Sequence, residues 1–182
     1  MQTSVHRFEE AAARGDHLRT ARLRLRVPVT DDIAAILAIA GDFEIARRVA
    51  RVPHPYTEVD ARFFLDAIVP PDCVWAVTTG DPLAVIGMIG LHLDRETGKA
   101  ELGYYFARDC WGRGYATEAA SAVAAYGIGL LGPGTLMAGY FTDNPASGRV
   151  LAKIGFVETE IEMKECLATG AARPLVRMVL PA

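Results

Sequence analysis

The feature that most constrains this sequence is a strand-like segment that leads through two glycines into a helix-like segment. Residues Ala100–Ala107 are rich in Tyr and Phe, and Gly114–Leu130 has small and apolar residues at helical spacing. Gly112 and Gly114 allow the backbone to turn tightly and to approach a ligand closely. The first N–H groups of a helix lack acceptors within the helix, and the helix dipole is positive there. The pattern predicts a site where backbone N–H groups bind an anion such as a phosphate.

Two other nucleotide motifs do not fit this segment. A Walker loop requires Gly-Lys-Ser/Thr, which the sequence lacks. A dinucleotide fingerprint requires a small residue where Thr117 stands and an acidic residue about 20 positions further on. Position 134 is Gly, and Asp143 is too far along. Because Gly-x-Gly before a helix is also typical of a plain tight turn, that alternative stays open from this segment alone.

The length and composition of the chain limit its class. With 182 residues, 51% of them hydrophobic, it suits one domain, and we expect an N-terminal extension at 1–18 and a domain at 19–182. The net charge of −3 predicts no nucleic-acid partner, which would require a basic surface. The sequence lacks a long apolar run and a signal-like start, so we expect a cytoplasmic protein with no membrane partner. Cys73, Cys110 and Cys166 stand far apart in the sequence, and no metal is expected.

The order of the predicted elements gives the fold class. Strands are predicted at 21–27, 74–78, 83–91, 100–107, 135–141, 156–166 and 175–180. Helices are predicted at 31–40, 42–51, 58–68, 114–130 and 145–153, and a turn at Gly80-Asp81-Pro82 joins two strands. An antiparallel meander, then strand–helix–strand, then a helix and a hairpin predict a single α/β domain with one mixed sheet and helices on both faces.

Three segments together resemble the GNAT superfamily of N-acetyltransferases, and within it the ribosomal-protein N-terminal (RimJ/RimL-like) branch. Trp111-Gly112-Arg113-Gly114-Tyr115-Ala116 fits the family's loop motif, with Trp in the first place as this branch commonly has. The segment Thr20–Arg26 resembles the family's first strand. Asp143–Ser147, followed by Lys153–Phe156, looks like its second cofactor segment. The resemblance spans residues 20–180, and three motifs in the right order are far more specific than one.

The resemblance implies acetyl-CoA as the donor and a mostly antiparallel sheet of six to seven strands that splays at its centre. The strands 100–107 and 135–141 would part there, and the pantetheine arm would pair with the freed backbone. The pyrophosphate would bind the amides of 112–117. The residues that this resemblance assigns to the cofactor are Tyr104, Tyr105, Phe106, Arg108, Trp111, Gly112, Arg113, Gly114, Tyr115, Ala116, Thr117, Asn144 and Ser147. A homodimer, common in this branch, is a further expectation.

The resemblance also supplies candidates for the chemistry, in which an amine attacks the thioester directly. Glu101 is the first candidate for the base, alone or through water, because several family members carry a catalytic glutamate near this place. By alternation it shares a strand face with Gly103 and Tyr105. Ser147 is the candidate acid for the departing thiolate, since Leu151 stands where many relatives have a tyrosine. A solvent-facing glutamate and a serine that merely caps its helix are the alternatives.

Other polar residues are candidates for contact with the acceptor. Glu165 lies on a late strand where the branch can place a base, and Cys166 can occupy that position instead. His54 and Tyr56 lie in a proline-rich connector that would border the acceptor cleft, or would simply link two helices rigidly. His92, at the end of a strand, is expected to be structural.

Two functions of different classes remain. One is an N-acetyltransferase that acts on a protein N-terminus or a small-molecule amine. The other is a module that senses CoA or acyl-CoA without turnover; only the enzyme requires a base and an acid near the sulfur. An acyl-enzyme route through Cys110 is disfavoured, because no His or Asp with a defined role stands beside it in the sequence.

Overall fold

One sheet forms the centre of the structure, a computed structural model that describes residues 2–80 and 83–182. Within these residues the sheet has eight strands, in the order β1-β2-β3-β4-β5-β6-β8-β7. The strands are β1 Leu18–Arg19, β2 Arg24–Arg26, β3 Cys73–Thr79, β4 Ala84–Asp94, β5 Lys99–Phe106, β6 Leu136–Phe141, β7 Val157–Cys166 and β8 Ala171–Val179. Neighbouring strands are antiparallel except β5 and β6, which are parallel. The predicted mixed, mostly antiparallel sheet is confirmed, with one strand more because β1 pairs with β2.

Helices cover both faces of this sheet, as predicted. In the described part of the chain they are α1 Gln2–Arg14, α2 Ile33–Ala40, α3 Phe43–Ala46, α4 Glu58–Phe63, α5 Tyr115–Leu131 and α6 Pro145–Lys153. One face packs against α1, α5 and α6 through a large core that includes Phe8, Val123 and Leu151. The other face packs against α2 and α4 through a smaller core that includes Ile36 and Ala61.

Local sequence explains where two of these helices begin and end. Thr57 caps α4, because its hydroxyl accepts a hydrogen bond from Asp60 N–H while the Asp60 carboxylate accepts one from Thr57 N–H. A π-helical turn, Phe64–Ile68, completes the helix predicted at 58–68. Helix α5 begins after Gly114 and ends before Gly132, and both glycines have positive φ.

The helix predicted at 42–51 is wrong in length, since α3 has only four residues. After α3 the chain bonds to a distant hairpin instead of continuing the helix. Arg47 C=O accepts a hydrogen bond from Arg173 Nη1, and Ala50 C=O accepts one from Leu167 N–H. These bonds tie the segment that follows α3 to the β7–β8 hairpin.

The parallel pair β5–β6 is short, and this opens the sheet at its centre. Its three residue pairs are Ala100–Leu136, Glu101–Met137 and Leu102–Ala138. Beyond them β5 stays paired with β4 as far as its last residue, whereas β6 continues along β8. The predicted splay is confirmed, and we call this gap between β5 and β6 the split.

The N-terminal segment packs onto the rest of the domain. Phe8 and Ala11 of α1 are buried in the larger core, with 0% and 1% of their surface exposed. After α1, Asp16 holds the chain in place: its C=O accepts from the Trp75 indole, and its carboxylate accepts from the Tyr126 hydroxyl. Residues 2–16 are therefore part of the folded domain.

Asp81 and Pro82 of the turn predicted at 80–82 fall outside the described residues. Across residues 2–80 and 83–182, none of the helices has both the length and the apolarity needed to cross a bilayer.

Candidate active site

The turn between β5 and α5 has the geometry of an anion site. Gly112 and Gly114 adopt φ of +74° and +79°, in the left-handed region that favours glycine. Among the described residues, none accepts a hydrogen bond from the backbone N–H groups of 112–117; the first bond of α5 runs from Glu118 N–H to Gly114 C=O. Within the described part of the chain, an added Cβ at Gly112 would meet nothing within 4 Å. Backbone donors at the positive end of a helix are therefore left without acceptors in the described part of the chain, which fits a pyrophosphate.

A basic residue that the sequence did not reveal lies beside this turn. Arg22 Nη1 donates to Arg113 C=O at 3.0 Å, and Nη2 would lie 3.4 Å from an added Cβ at Gly114. Glu118, in the first turn of α5, holds the guanidinium with an Nε–Oε2 distance of 2.7 Å. Because 96 positions separate Arg22 from Glu118, no local pattern could predict this contact. The guanidinium adds positive charge at the turn.

The two arginines expected to flank the turn lie at its exposed edge. Arg108 Nη1 is 3.5 Å from Asp42 Oδ2, between the turn and the segment that precedes α3. A cavity of about 640 Å³ opens there, and Asp42, Arg108 and Trp111 are among its lining residues. Arg113 is exposed, and its C=O is the acceptor for Arg22. Arg108 therefore lines an open cavity large enough for part of a nucleotide.

The first helical turn after Gly114 consists of Tyr115, Ala116 and Thr117. The Arg22 guanidinium lies over the Tyr115 ring, 4.7 Å from its centroid. Ala116 packs against the larger core. Because the side chains of Tyr115 and Ala116 pack within the protein, these two residues are placed to contribute backbone N–H groups to an anion.

Trp111 fixes the turn to the end of β5. Its indole N–H donates to Phe106 C=O at 2.8 Å. The Arg48 guanidinium lies over the indole, 5.1 Å from the ring centroid. Trp111 was expected here only as part of the loop motif, and the structure shows that its side chain holds the turn against β5.

Fewer backbone groups of β5 face the split than the resemblance implied. Ala107 N–H bonds to a β4 carbonyl, so the odd-numbered residues of β5, including Tyr105, direct their backbone groups toward β4. The even-numbered residues Tyr104 and Phe106 direct theirs toward the split. The Trp111 indole already donates to Phe106 C=O, so the groups left to bind a ligand are the N–H and C=O of Tyr104 and the N–H of Phe106. These groups suit an extended chain that lies in the split as an added strand.

The side chains of Tyr104 and Ser147 meet across the split. The Tyr104 hydroxyl lies 2.8 Å from Ser147 Oγ, and either atom can be the donor. Burial raises the pKa of Tyr104 to about 12, even though the hydrogen bond with Ser147 acts in the other direction. The phenol therefore stays protonated at neutral pH, and the two hydroxyls can supply a proton to a group in the split.

Asn144 lies at the start of α6, beside the same hydroxyl pair. Its C=O accepts a hydrogen bond from Ser147 N–H at 3.1 Å, while its side chain makes no capping bond to the helix. The side chain is partly exposed, and a primary amide can both donate and accept. This placement fits the expected contact with the amide groups of a pantetheine arm.

The two faces of β5 have different environments. Tyr104 and Phe106 belong to the larger core with α5, whereas Tyr105 belongs to the smaller core with α2 and α4. Glu101, Gly103 and Tyr105 share the second face, as alternation predicted, and we call it the acceptor-side face.

Arginines hold the expected base, Glu101, on this acceptor-side face. Glu101 Oε1 lies 2.8 Å from Arg177 Nη1, and Oε2 lies 3.3 Å from Arg51 Nη2. Arg177 Nε also lies 2.8 Å from Glu162 Oε1. Glu101 is therefore an ion-paired carboxylate beside the split.

Of the two connector residues, Tyr56 lies on the acceptor-side face. It packs in the smaller core with Tyr105, and burial raises its pKa to about 12. His54 is exposed, and its ring centroid lies 5.0 Å from that of Phe43 in α3. The structure thus brings Tyr56 to the acceptor side, whereas His54 contacts α3.

Glu165 is not brought to this cluster. It is exposed on β7 opposite Ala172, and alternation places it on the other strand face from Glu162, which contacts Arg177. Cys166 is buried, with its sulfur near the carbonyl oxygens of residues 47 and 49. The carboxylate of β7 that contacts Arg177, the partner of Glu101, is therefore Glu162. The sequence had suggested Glu165, three positions further on.

Neither a cysteine nucleophile nor a metal cluster is found at this site. Burial, with Asp109 beside it, raises the pKa of the Cys110 thiol, which opposes formation of a thiolate. In the part of the chain that the structure describes, His, Cys, Asp and Glu side chains form no group of three that could hold a metal ion.

Comparison with known proteins places these features in a family. The model for the acetyltransferase (GNAT) domain matches residues 22–157. Among curated proteins, an uncharacterised N-acetyltransferase, YoaA of Bacillus subtilis strain 168, is 41% identical over 83 residues, which make up 45% of this chain. That aligned region spans 47% of YoaA, so the chain spans about half the length of this relative.

Solved structures share the fold over most of the chain. An acetyltransferase of the GNAT family from Bacillus anthracis has a TM-score of 0.79 and 22% identity, covering 91% of this chain and 98% of that one. A spermidine N-acetyltransferase from Vibrio cholerae, in complex with CoA and spermine, has a TM-score of 0.74 and 19% identity, with coverages of 89% and 96%. At these identities the likeness establishes the fold.

Proposed function

We propose a reaction for this chain, which belongs to the GNAT acetyltransferase family: transfer of an acetyl group from acetyl-CoA to a primary amine, by direct attack in a ternary complex. The observation that supports it most is the juxtaposition of two features. The N–H groups of 112–117 follow the end of β5 and have no acceptors among the described residues. The edge of β5 that faces β6 opens into the split just before this turn. A diphosphate and an extended amide chain are the two parts of coenzyme A that these features would bind.

Different residues would bind the pyrophosphate and the pantetheine arm of coenzyme A. Backbone N–H groups of 112–117, with Arg22 nearby, would hold the pyrophosphate. Tyr104 backbone groups and the Asn144 side chain would hold the pantetheine arm. When bound, acetyl-CoA supplies an activated acetyl thioester. The arm would extend the sheet from β5 toward β6 and place its end near Leu102, the last β5 residue that pairs with β6.

An acceptor that binds as an ammonium ion must lose two protons, one before the attack and one after it, and the sulfur must gain one. Glu101 would attract the ammonium form of the acceptor, and a base on the acceptor-side face would take its proton. Ser147, hydrogen-bonded to Tyr104, would donate to the departing thiolate. An α-amino group, with pKa near 8, needs less help than a lysine near 10.4. A protein N-terminus or a small-molecule amine of low pKa is therefore the acceptor class we favour.

A panel of amines tests this proposal. CoA release from acetyl-CoA is measured by thiol detection in the presence of spermidine, spermine, free amino acids, and pentapeptides that begin with Ser or Ala. We expect at least one of them to raise the rate well above the rate without amine. Acetyl-CoA binding by calorimetry, with no amine able to stimulate release, would instead favour the sensor alternative.

A further inference from the structure

A histidine–aspartate pair lies on the acceptor-side face beside Glu101. His92 Nδ1 is 2.8 Å from Asp72 Oδ2, and Asp72 Oδ1 accepts a hydrogen bond from Leu93 N–H at 3.1 Å. The two side chains are only 23% and 14% exposed. Because a carboxylate can only accept, the proton of the neutral imidazole resides on Nδ1, which leaves the lone pair on Nε2. Asp72 therefore fixes both the orientation and the tautomer of the ring.

His92 Nε2 lies beside two paired glycines, where this face of the sheet carries no side chains. Gly90 of β4 pairs with Gly103 of β5, so neither strand presents a side chain at that position. Apart from its chain neighbours, an added Cβ at Gly103 would have only the His92 ring within 4 Å among the described residues, at 4.0 Å from both Nε2 and Cδ2. Gly103 is the first residue of β5 beyond the last β5–β6 pair, Leu102–Ala138. Nε2 thus lies close to the point where the split begins.

Glu101 and His92 differ in their hydrogen-bond partners. The two residues are direct cross-strand partners on the same face. Both Glu101 oxygens accept from guanidinium groups, of Arg177 at 2.8 Å and of Arg51 at 3.3 Å. Among the described residues, none forms a hydrogen bond with His92 Nε2. The carboxylate is suited to attract a cation, and the imidazole is suited to accept its proton.

We propose that His92 Nε2 is the catalytic proton acceptor for the amine, with Asp72 as a positioning residue; this rests on the proposed function. The ammonium form of the acceptor gives one proton to Nε2 and becomes a neutral amine. Its nitrogen then bonds to the acetyl carbon, and the carbon–sulfur bond breaks with its electron pair moving to sulfur. The sulfur takes a proton from Ser147, which regains one when the nitrogen loses its second proton. His92 releases its proton to solvent, so one proton leaves per turnover.

The charge around His92 determines the expected pH dependence. The groups that face it are Asp72 from the turn before β3 and Glu101 from β5, with Arg177 and Arg51 beyond Glu101. Only the neutral form of an imidazole can accept a proton at Nε2. We therefore expect kcat/KM to fall on the acid side as this ring becomes protonated.

The test compares pH–rate profiles of the wild type with His92→Asn, Asp72→Asn and Glu101→Gln, using each panel amine that supports turnover. Asparagine at 92 retains a donor near the Nδ1 position but has no ionisable group. We expect His92→Asn to lower kcat about 100-fold and to abolish the acid limb, with coenzyme A affinity unchanged. Asp72→Asn should lower kcat without changing coenzyme A affinity, because an amide donor at Nδ1 favours the wrong tautomer. Free imidazole should partly restore activity to His92→Ala.

Two results would overturn the inference. One is a His92→Asn variant that keeps wild-type kcat and the same acid limb. The other is an acid limb that disappears in Glu101→Gln but persists in His92→Asn, which would assign the base to Glu101. If His92→Asn does not fold, imidazole rescue of His92→Ala decides, and a folded His92→Ala that stays inactive with imidazole counts against the proposal. Failure of the proposed function is distinguishable, since the wild type would then release no CoA with any amine.

Discussion

The hydroxyl of Tyr104 lies 2.8 Å from Ser147 Oγ, so a hydrogen bond joins β5 to the first turn of α6 across the split. The two residues stand 43 positions apart, and each reaches the other only because β5 and β6 separate after three residue pairs. The bond places two protonated hydroxyls where the end of an extended ligand in the split would lie. The pair therefore connects the shape of the sheet with the chemistry proposed for it.

Loss of the Ser147 hydroxyl should lower turnover more than cofactor affinity. A thiolate with a pKa near 8.5 is already a fair leaving group, so we expect Ser147→Ala to reduce kcat about 10-fold. Tyr104→Phe should have a smaller effect, because Ser147 keeps its own proton. Steady-state kinetics at saturating substrates measure both, with Ser121→Ala, an exposed serine of α5, as the control. An unaltered kcat in Ser147→Ala would exclude it as the acid.

Removal of the Arg22 guanidinium should weaken coenzyme A binding. It neutralises Glu118 at the start of α5, and without it that carboxylate would repel the pyrophosphate. We expect Arg22→Gln to raise the Kd for coenzyme A about 5-fold, with the largest effect at low salt. Calorimetry at two ionic strengths measures this, and Arg62→Gln, which breaks an exposed ion pair on α4, is the matched control. Equal affinities for the two variants would refute the role of Arg22.

Truncation of Phe8 should destabilise the whole domain, because its side chain is fully buried in the larger core. We expect Phe8→Ala to lower the free energy of unfolding by about 3–5 kcal/mol. Urea denaturation measures the change. Phe63→Ala on α4, where 62% of the residue is exposed, should cost far less. Similar stabilities of the two variants would mean that α1 is not part of the cooperative unit.

The Arg26–Asp32 ion pair should make stability depend on pH in the acid range. Burial of Asp32 favours its neutral form, but hydrogen bonds from Arg26, each 2.7 Å long, and from Val29 N–H outweigh it and lower its pKa. Because the pKa is lower in the folded state, the stabilisation is complete above the unfolded value near 3.9 and is lost as pH falls through the folded value. We expect Asp32→Asn to cost about 2–3 kcal/mol at pH 7.

Urea denaturation of wild type and Asp32→Asn between pH 7 and pH 2.5 measures this dependence. The difference between the two proteins should be constant above about pH 5 and should shrink below about pH 4. Asp31→Asn, at the exposed neighbouring position, should match the wild type throughout. A difference that stays constant down to pH 2.5 would contradict the assigned ionisation.

Features that depend on neighbours in the chain could be predicted from the sequence. The glycine turn before α5, the alternation that separates Glu101 from Tyr104, and the helices on both faces all follow from local patterns. The parting of β5 and β6 came from the family resemblance and is also confirmed. The catalytic roles of Glu101 and Ser147, the homodimer and the acceptor remain predictions.

Contacts between distant residues could not be predicted in this way. Arg177 reaches Glu101 because β8 lies between β6 and β7, an order that no local pattern specifies. The pairing of His92 with Asp72 likewise depends on how the turn before β3 lies against the end of β4. For the same reason α3 is shorter than its sequence suggests, since bonds to the β7–β8 hairpin compete with further helix.

The central claim is that the backbone around Gly112 and Gly114 binds the pyrophosphate of coenzyme A, and Gly114→Val tests it most directly. A β-branched residue is strained at φ of +79° and would distort the N–H groups of the turn. Its matched control is Gly129→Ala on α5, where an added Cβ meets nothing within 4 Å in residues 2–80 and 83–182. Calorimetric titration with coenzyme A should show a Kd about 100-fold higher for a folded Gly114→Val protein and an unchanged Kd for Gly129→Ala. Wild-type affinity in a folded Gly114→Val protein would contradict the account.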